Sequence, residues 1–63
     1  MYELQIYADD QWKLVQRGRV SSAREALQRR ADLEDYHYTV RVVSGGIEIT
    51  LAQLRLRAQR EAL

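Results

Sequence analysis

The sequence predicts an α+β fold, a two-layer sandwich in the order ββαββα, with an antiparallel sheet of strand order 2-1-3-4 and both helices on one face. Three observations predict it: apolar and polar residues alternate in two regions, two capping signals each open a run of helix formers, and a Ser-Gly-Gly turn joins the last two strands. This strand order gives the first helix a right-handed crossover. At 63 residues, the chain is expected to form one domain, residues 1–63.

The first two strands form a hairpin whose register decides which side chains share a face. Residues 2–8 alternate between apolar and polar, and residues 12–20 follow as the return strand. A two-residue turn would set Ile6 opposite Lys13, whereas a three-residue turn sets Ile6 opposite Leu14. Because a slip of one residue moves every side chain to the other face, we favour the three-residue turn, which keeps the apolar pair together.

Two capping boxes predict the helices. Ser22 and Glu25 have the spacing of an N-cap and its third helical residue, and they open a helix that runs to about residue 33. The acidic residues that follow are unfavourable at a helix C-terminus, so this end is expected to fray. Thr50 and Gln53 repeat the capping pattern and open a second helix that extends to the last residue.

The third and fourth strands form a second hairpin. Residues 36–43 alternate again, which places His37 and Arg41 on the face that the helices leave open. Gly45-Gly46 can supply the positive φ angles of a tight turn, and residues 47–49 form the short strand that follows it.

Composition limits the ways in which so small a domain can be stabilised. The chain has no cysteine and a single histidine, which excludes disulfides and leaves no ligand set for a structural zinc ion. A domain of this size buries only about 60% of the surface of its unfolded chain. Self-association is therefore the expected source of additional stability.

Catalytic chemistry has few candidates in this sequence. His37 has no cysteine to activate, Ser22 fits a helix cap, and Asp9-Asp10 fits a turn, where aspartate is favoured for backbone reasons. The Ser-Gly-Gly segment lacks the lysine and the following helix of a phosphate-binding loop. We therefore expect no enzymatic activity, no cofactor, no metal and no small-molecule substrate.

Neither a membrane location nor secretion is indicated. No apolar run approaches the roughly 20 residues that span a bilayer, and the N-terminus does not combine a basic stretch with an apolar one. The absence of cysteine fits a reducing compartment. We expect a cytoplasmic protein.

The open sheet face is the first candidate binding surface. Nine of the ten basic residues are arginine, a bias explained either by genomic base composition or by a need for planar guanidinium groups. Basic residues beside aromatic ones on an exposed sheet are typical of proteins that bind single-stranded nucleic acid. The predicted face, which would bind nucleic acid or an acidic partner, contains Tyr7, Lys13, Arg17, Arg19, His37 and Arg41.

The second helix offers another candidate surface. Leu56 and Leu63 are seven residues apart and, with Ala52, fall on the side opposite the stripe predicted to face the sheet. These residues would contact another protein or a second copy of the chain, as in a weak homodimer.

A protein-interaction module without enzymatic activity is the leading functional hypothesis, and nucleic-acid binding through the open face is the alternative. Small cysteine-free domains without an active site are common among accessory proteins of phages and mobile elements. Some of those inhibit host complexes, as anti-CRISPR proteins do. The expectation of an inhibitor of this kind rests on that frequency and on no motif of the sequence.

Overall fold

The computed structural model describes residues 1–62 and confirms the predicted fold class. The strands form one antiparallel sheet in the order β2-β1-β3-β4. In chain order the elements are β1 (Tyr2–Ala8), β2 (Gln11–Val20), α1 (Ala23–Asp35), β3 (Val40–Ser44), β4 (Ile47–Ile49) and α2 (Leu51–Glu61).

The core lies between the sheet and the helices. Leu4 and Val42 pair across β1 and β3 and are fully buried. The alanines Ala23 and Ala26 of α1 are also fully buried, and their small size lets the helix approach the sheet closely. Leu54 is the buried residue of α2, which packs mainly against α1. Burial of each large apolar side chain contributes about 2 kcal/mol.

The predicted capping pairs open both helices. In α2 the box is complete, since Gln53 N donates to Thr50 Oγ1 at 3.1 Å and Thr50 N donates to Gln53 Oε1 at 3.0 Å. In α1 the Ser22 hydroxyl accepts a hydrogen bond from Glu25 N at 3.1 Å.

A second cap on α1 comes from the far end of the chain. The Glu61 carboxylate, in the last turn of α2, accepts hydrogen bonds from Ala23 N at 2.7 Å and from Arg24 N at 3.1 Å. The first backbone N–H groups of a helix have no partner within it and carry partial positive charge. Glu61 therefore neutralises the N-terminus of α1 and joins the two helices.

The C-terminus of α1, where the sequence predicted a frayed end, extends to Asp35 and is capped by hydrogen bonds. Tyr38 N donates to the Leu33 carbonyl at 3.3 Å and His37 N to the Glu34 carbonyl at 2.9 Å, and His37 has a φ of 68°. This is a Schellman motif, which satisfies the last free carbonyl groups of a helix. The third strand consequently begins at Val40, later than predicted.

The register predicted for the first hairpin was wrong. Ile6 pairs with Lys13 across a two-residue turn. Asp9 and Asp10 have φ angles of 54° and 62°, the left-handed pair that a type I′ turn requires. Aspartate is among the few non-glycine residues that adopt this conformation readily, so the turn closes without glycine.

A bulge in β2 then changes the register. Gln5 pairs with Leu14 before the bulge, whereas Glu3 pairs with Arg19 after it. Arg17 lies in the bulge with a φ of 57°. The three-residue turn that we favoured from the sequence would set Glu3 opposite Arg17, and in the structure Glu3 instead forms an ion pair with Arg19, at 3.4 Å.

A side chain of α1 stabilises the bulge through hydrogen bonds. The Arg29 guanidinium of α1 donates to the carbonyl of Arg17 at 2.9 Å and to that of Gln16 at 3.3 Å. These are two carbonyl groups of the irregular segment of β2. Arg29 thus joins the helix layer to the bulge.

Arg30 belongs to the helix face that approaches the sheet. Its side chain is 17% exposed, and Nε lies 3.6 Å from a Glu34 carboxylate oxygen. A guanidinium that is mostly buried is costly without an opposite charge, and this i,i+4 carboxylate supplies one.

Neither helix among residues 1–62 is both long enough and apolar enough to cross a membrane.

Candidate functional site

The open face of the sheet is defined by its cross-strand pairs. Residues that pair across neighbouring strands project to the same side. Leu4 and Val42 mark the side covered by the helices. Gln5 projects to the opposite side together with its two partners, Arg41 on β3 and Leu14 on β2.

An aromatic pair lies beside them on the same face. Tyr7 pairs with Trp12, and their rings meet edge to face with centroids 5.3 Å apart and an interplanar angle of 63°. The Arg41 guanidinium carbon lies 4.4 Å from the centroid of the Trp12 ring. Both distances suit an attractive contact, the first between aromatic rings and the second between a cation and a π system.

Gln5 fixes the direction of the arginine. Its side-chain oxygen accepts a hydrogen bond from Arg41 Nε at 2.7 Å. The guanidinium is therefore held by Gln5 through a hydrogen bond and by Trp12 through its ring. We refer to Gln5, Tyr7, Trp12, Leu14 and Arg41 as the open-face patch.

Two apolar members of the open-face patch are accessible to a partner. Tyr7 is 47% exposed and Leu14 is 46% exposed. A single exposed apolar residue is ordinary on a protein surface. Here two of them lie on either side of a half-buried tryptophan, and a contiguous group of this kind is characteristic of interaction surfaces.

The other end of the open face is polar and nearly neutral. Glu3 and Glu48 flank Val43, and Arg19 is bound to Glu3. The residues that cross-strand pairs place on this face, Arg41 included, carry two carboxylates and two guanidinium groups, and these formal charges sum to zero. A surface of this charge gives little electrostatic attraction to a polyanion.

Of the basic residues predicted for the face, Arg19 and Arg41 lie on it, Lys13 and His37 lie elsewhere, and Arg17 has no cross-strand partner that assigns it to a face. Lys13 pairs with Ile6 and so projects to the helix side, where its ammonium group contacts Asp9 at 2.7 Å. Arg17 lies in the bulge, with its carbonyl bound by α1. His37 lies in the turn that ends α1, because its left-handed conformation completes the Schellman motif.

Sequence reasoning placed Tyr7 and Arg41 on this face but missed Trp12 and Leu14 as members of the patch. The predicted register put Trp12 and Leu14 on the covered side. The left-handed turn at Asp9-Asp10 places both on the open side. The signal that could have revealed the irregular strand is Gly18, since an isolated glycine inside a strand pattern often marks a bulge.

The second predicted surface, on α2, is only partly described. Leu56 is 49% exposed, and Ala52, one turn earlier, is exposed as well. Leu63 lies outside the described residues. A partner contact through these three residues stays a prediction.

An open groove of about 550 Å³ lies along the contact between α1 and α2. Its lining combines small apolar residues with arginine and glutamine: Arg24, Leu27, Gln28, Ala31, Arg55, Ala58, Gln59 and Ala62. Among residues 1–62 there is no cluster of histidine, cysteine or acidic residues that could hold a metal ion.

Comparison of the chain with protein families, with curated proteins and with solved structures finds no match.

Proposed function

We propose that the protein is a non-enzymatic interaction module that docks on another protein through the open-face patch. The observation that carries the proposal is the contact between Tyr7, Trp12 and Arg41 on an uncovered sheet face. Tyrosine, tryptophan and arginine are the residues that most often dominate the energetics of protein interfaces. Here they are adjacent and are already held in place by their own contacts.

Pre-organisation strengthens the case. Binding is weakened by the loss of side-chain freedom, about 0.5–1.5 kcal/mol for each flexible side chain that becomes fixed. Arg41 is bound to Gln5 and Trp12 in the free protein, so little of its freedom remains to be lost. A partner can thus gain the contact at low entropic cost.

The same geometry favours a protein over single-stranded nucleic acid. One face of the Trp12 ring is occupied by Arg41, which reduces its use as a platform for a stacked base. Arg19 is bound to Glu3, and Lys13 is bound to Asp9 on the other side of the sheet. Of the cations that cross-strand pairs place on this face, Arg41 alone has no carboxylate partner among residues 1–62 and so remains to contact phosphates.

The absence of cysteine suits a reducing compartment such as the cytoplasm, where we place the interaction. A partner that belongs to a host complex, inhibited by a phage or mobile-element protein, stays a prediction.

The test compares two leucines on different surfaces. Leu14 and Leu56 are 46% and 49% exposed, so Leu14→Glu and Leu56→Glu introduce the same charge at matched accessibility. Each variant is used as bait in nuclease-treated lysate of the source cell, after its thermal melt has been shown to match that of the parent protein. We expect Leu14→Glu to lose the captured protein, with an affinity reduced about 30-fold or more, and Leu56→Glu to retain it.

Two other results would overturn the proposal. Loss of capture in Leu56→Glu alone would assign docking to α2. Capture that disappears on nuclease treatment, together with quenching of Trp12 fluorescence by a single-stranded oligonucleotide, would favour nucleic-acid binding. Trp12 is the only tryptophan of the chain, so its emission reports on the open face alone.

A further inference from the structure

Arg41 lies on the open face with a free hydrogen-bonding edge and without a carboxylate beside it among residues 1–62. Its Nε donates to Gln5, and within residues 1–62 its two terminal amino groups donate to no acceptor. No carboxylate of the described chain lies within ion-pair distance of it. Arg19 and Lys13, by contrast, have the carboxylates of Glu3 and Asp9 at 3.4 Å and 2.7 Å.

The orientation of that edge is fixed in advance. A guanidinium whose Nε is occupied still offers Nη1 and Nη2 as a planar fork, and the fork matches the two oxygens of a carboxylate. Gln5 and Trp12 hold the Arg41 group at 2.7 Å and 4.4 Å, respectively, so the fork cannot swing freely. Lysine, with a compact ammonium group, would not reproduce this geometry.

The surroundings make a single carboxylate the best match in charge. Arg41 is half-buried among the aromatic and aliphatic members of the open-face patch. A docked chain would remove water from the fork and strengthen an ion pair that is fully hydrogen-bonded. Glu3 and Glu48, at the other end of the face, oppose the approach of a ligand with many negative charges.

We infer that the Arg41 fork receives one aspartate or glutamate side chain of the partner, and that apolar residues next to this acid cover Tyr7 and Leu14. The inference rests on the proposed function and specifies the chemistry of the partner. It predicts a short recognition element in which an acidic residue stands between apolar ones.

The probe is a library of random peptides displayed on phage, selected against the full chain and counter-selected against Leu14→Glu. We expect the retained peptides to contain an aspartate or glutamate flanked by apolar residues. In a synthetic copy of the best peptide, replacing the acid by its amide should weaken binding about tenfold or more, as measured by Trp12 fluorescence. Arg41→Lys should weaken binding by a similar factor.

A double change separates the fork from general effects of charge. If the acid contacts Arg41, the two changes should not be additive. The amide peptide should then bind the Arg41→Lys variant about as tightly as it binds the parent protein. Arg19→Lys is the matched control, because Arg19 lies on the same face but is bound to Glu3. It should change the affinity less than threefold, in keeping with the small energies of exposed ion pairs.

The outcomes distinguish the inference from the proposed function. Peptides that depend on Leu14 but lack an acid, or that bind Arg41→Lys unchanged, overturn the inference and leave the docking face standing. A selection that yields no peptide dependent on Leu14 overturns both.

Discussion

Gly18→Ala should destabilise the protein strongly, because the bulge of β2 leaves no room for a side chain. A Cβ at this position would lie 2.7 Å from the Val15 carbonyl oxygen and 2.9 Å from the Leu4 carbonyl oxygen. Both atoms belong to the backbone, so no side-chain rotation relieves the clash. Leu14 Cδ1, at 3.2 Å, would also have to move, which links the bulge to the open-face patch.

The expected loss is large relative to the total stability. Forcing additional atoms into a packed site costs about 1–3 kcal/mol, and two backbone contacts put Gly18→Ala near the upper end of that range. A chain of 63 residues has a free energy of unfolding of about 3–9 kcal/mol. We therefore expect a loss of about 2–3 kcal/mol, which lowers Tm by roughly 10–20 °C.

Urea unfolding followed by Trp12 fluorescence and by far-ultraviolet circular dichroism measures this loss. The control is Gly45→Ala, where an added Cβ meets nothing within 4 Å and only the φ of 59° resists a side chain. That conformational penalty is about 1 kcal/mol. If Gly18→Ala costs no more than Gly45→Ala, the close approach at the bulge is absent and the reasoning fails.

Three further substitutions test other parts of the structure. Asp10→Gly should raise the free energy of unfolding by about 0.5 kcal/mol, because Asp10 has a φ of 62°; an unchanged urea midpoint would contradict a left-handed turn. Glu61→Gln weakens the cap on Ala23 N and Arg24 N and should cost about 1 kcal/mol, with Glu48→Gln as the control for loss of charge. Leu56→Glu should change the free energy of unfolding by less than about 0.5 kcal/mol, because Leu56 is exposed. If sedimentation shows that the parent protein is a monomer at high concentration, self-association through α2 is refuted.

The helix starts and the second hairpin could be predicted from the sequence because their signals are local. Thr50 and Gln53 lie within one turn of each other, and the capping hydrogen bonds need no other part of the chain. Gly45-Gly46 supplies both positive φ angles of its turn. When a structure depends on neighbouring residues alone, residue type and spacing are sufficient to predict it.

The C-terminus of α1 could not be predicted in the same way. Helices usually end with glycine in the left-handed position, and here His37 occupies it. Without the glycine, the alternation after the helix indicated a longer third strand. The Schellman hydrogen bonds of Tyr38 and His37 stabilise the turn instead, and His37 leaves the predicted binding face.

The first hairpin was mispredicted because its register depends on backbone conformations that residue type only weakly indicates. Asp9, Asp10 and Arg17 all have positive φ angles. The prediction treated β2 as a regular strand and chose the turn that would place Leu14 toward the core. In the structure, the two-residue turn and the bulge together allow Leu14 to face solvent while Val20 remains buried.

These irregularities support the proposed role of the open-face patch. Three of the four non-glycine residues with positive φ among residues 1–62 lie in this hairpin: Asp9 and Asp10 adopt the conformation readily, whereas it costs on the order of 1 kcal/mol at Arg17. A regular hairpin would avoid the cost and direct Leu14 and Trp12 toward the core of a domain that has little apolar surface to bury. Strain of this kind persists where the surrounding structure enforces it, and it concentrates at functional sites. The exposure of Trp12 and Leu14 at this irregular hairpin therefore supports the proposal that a partner covers them.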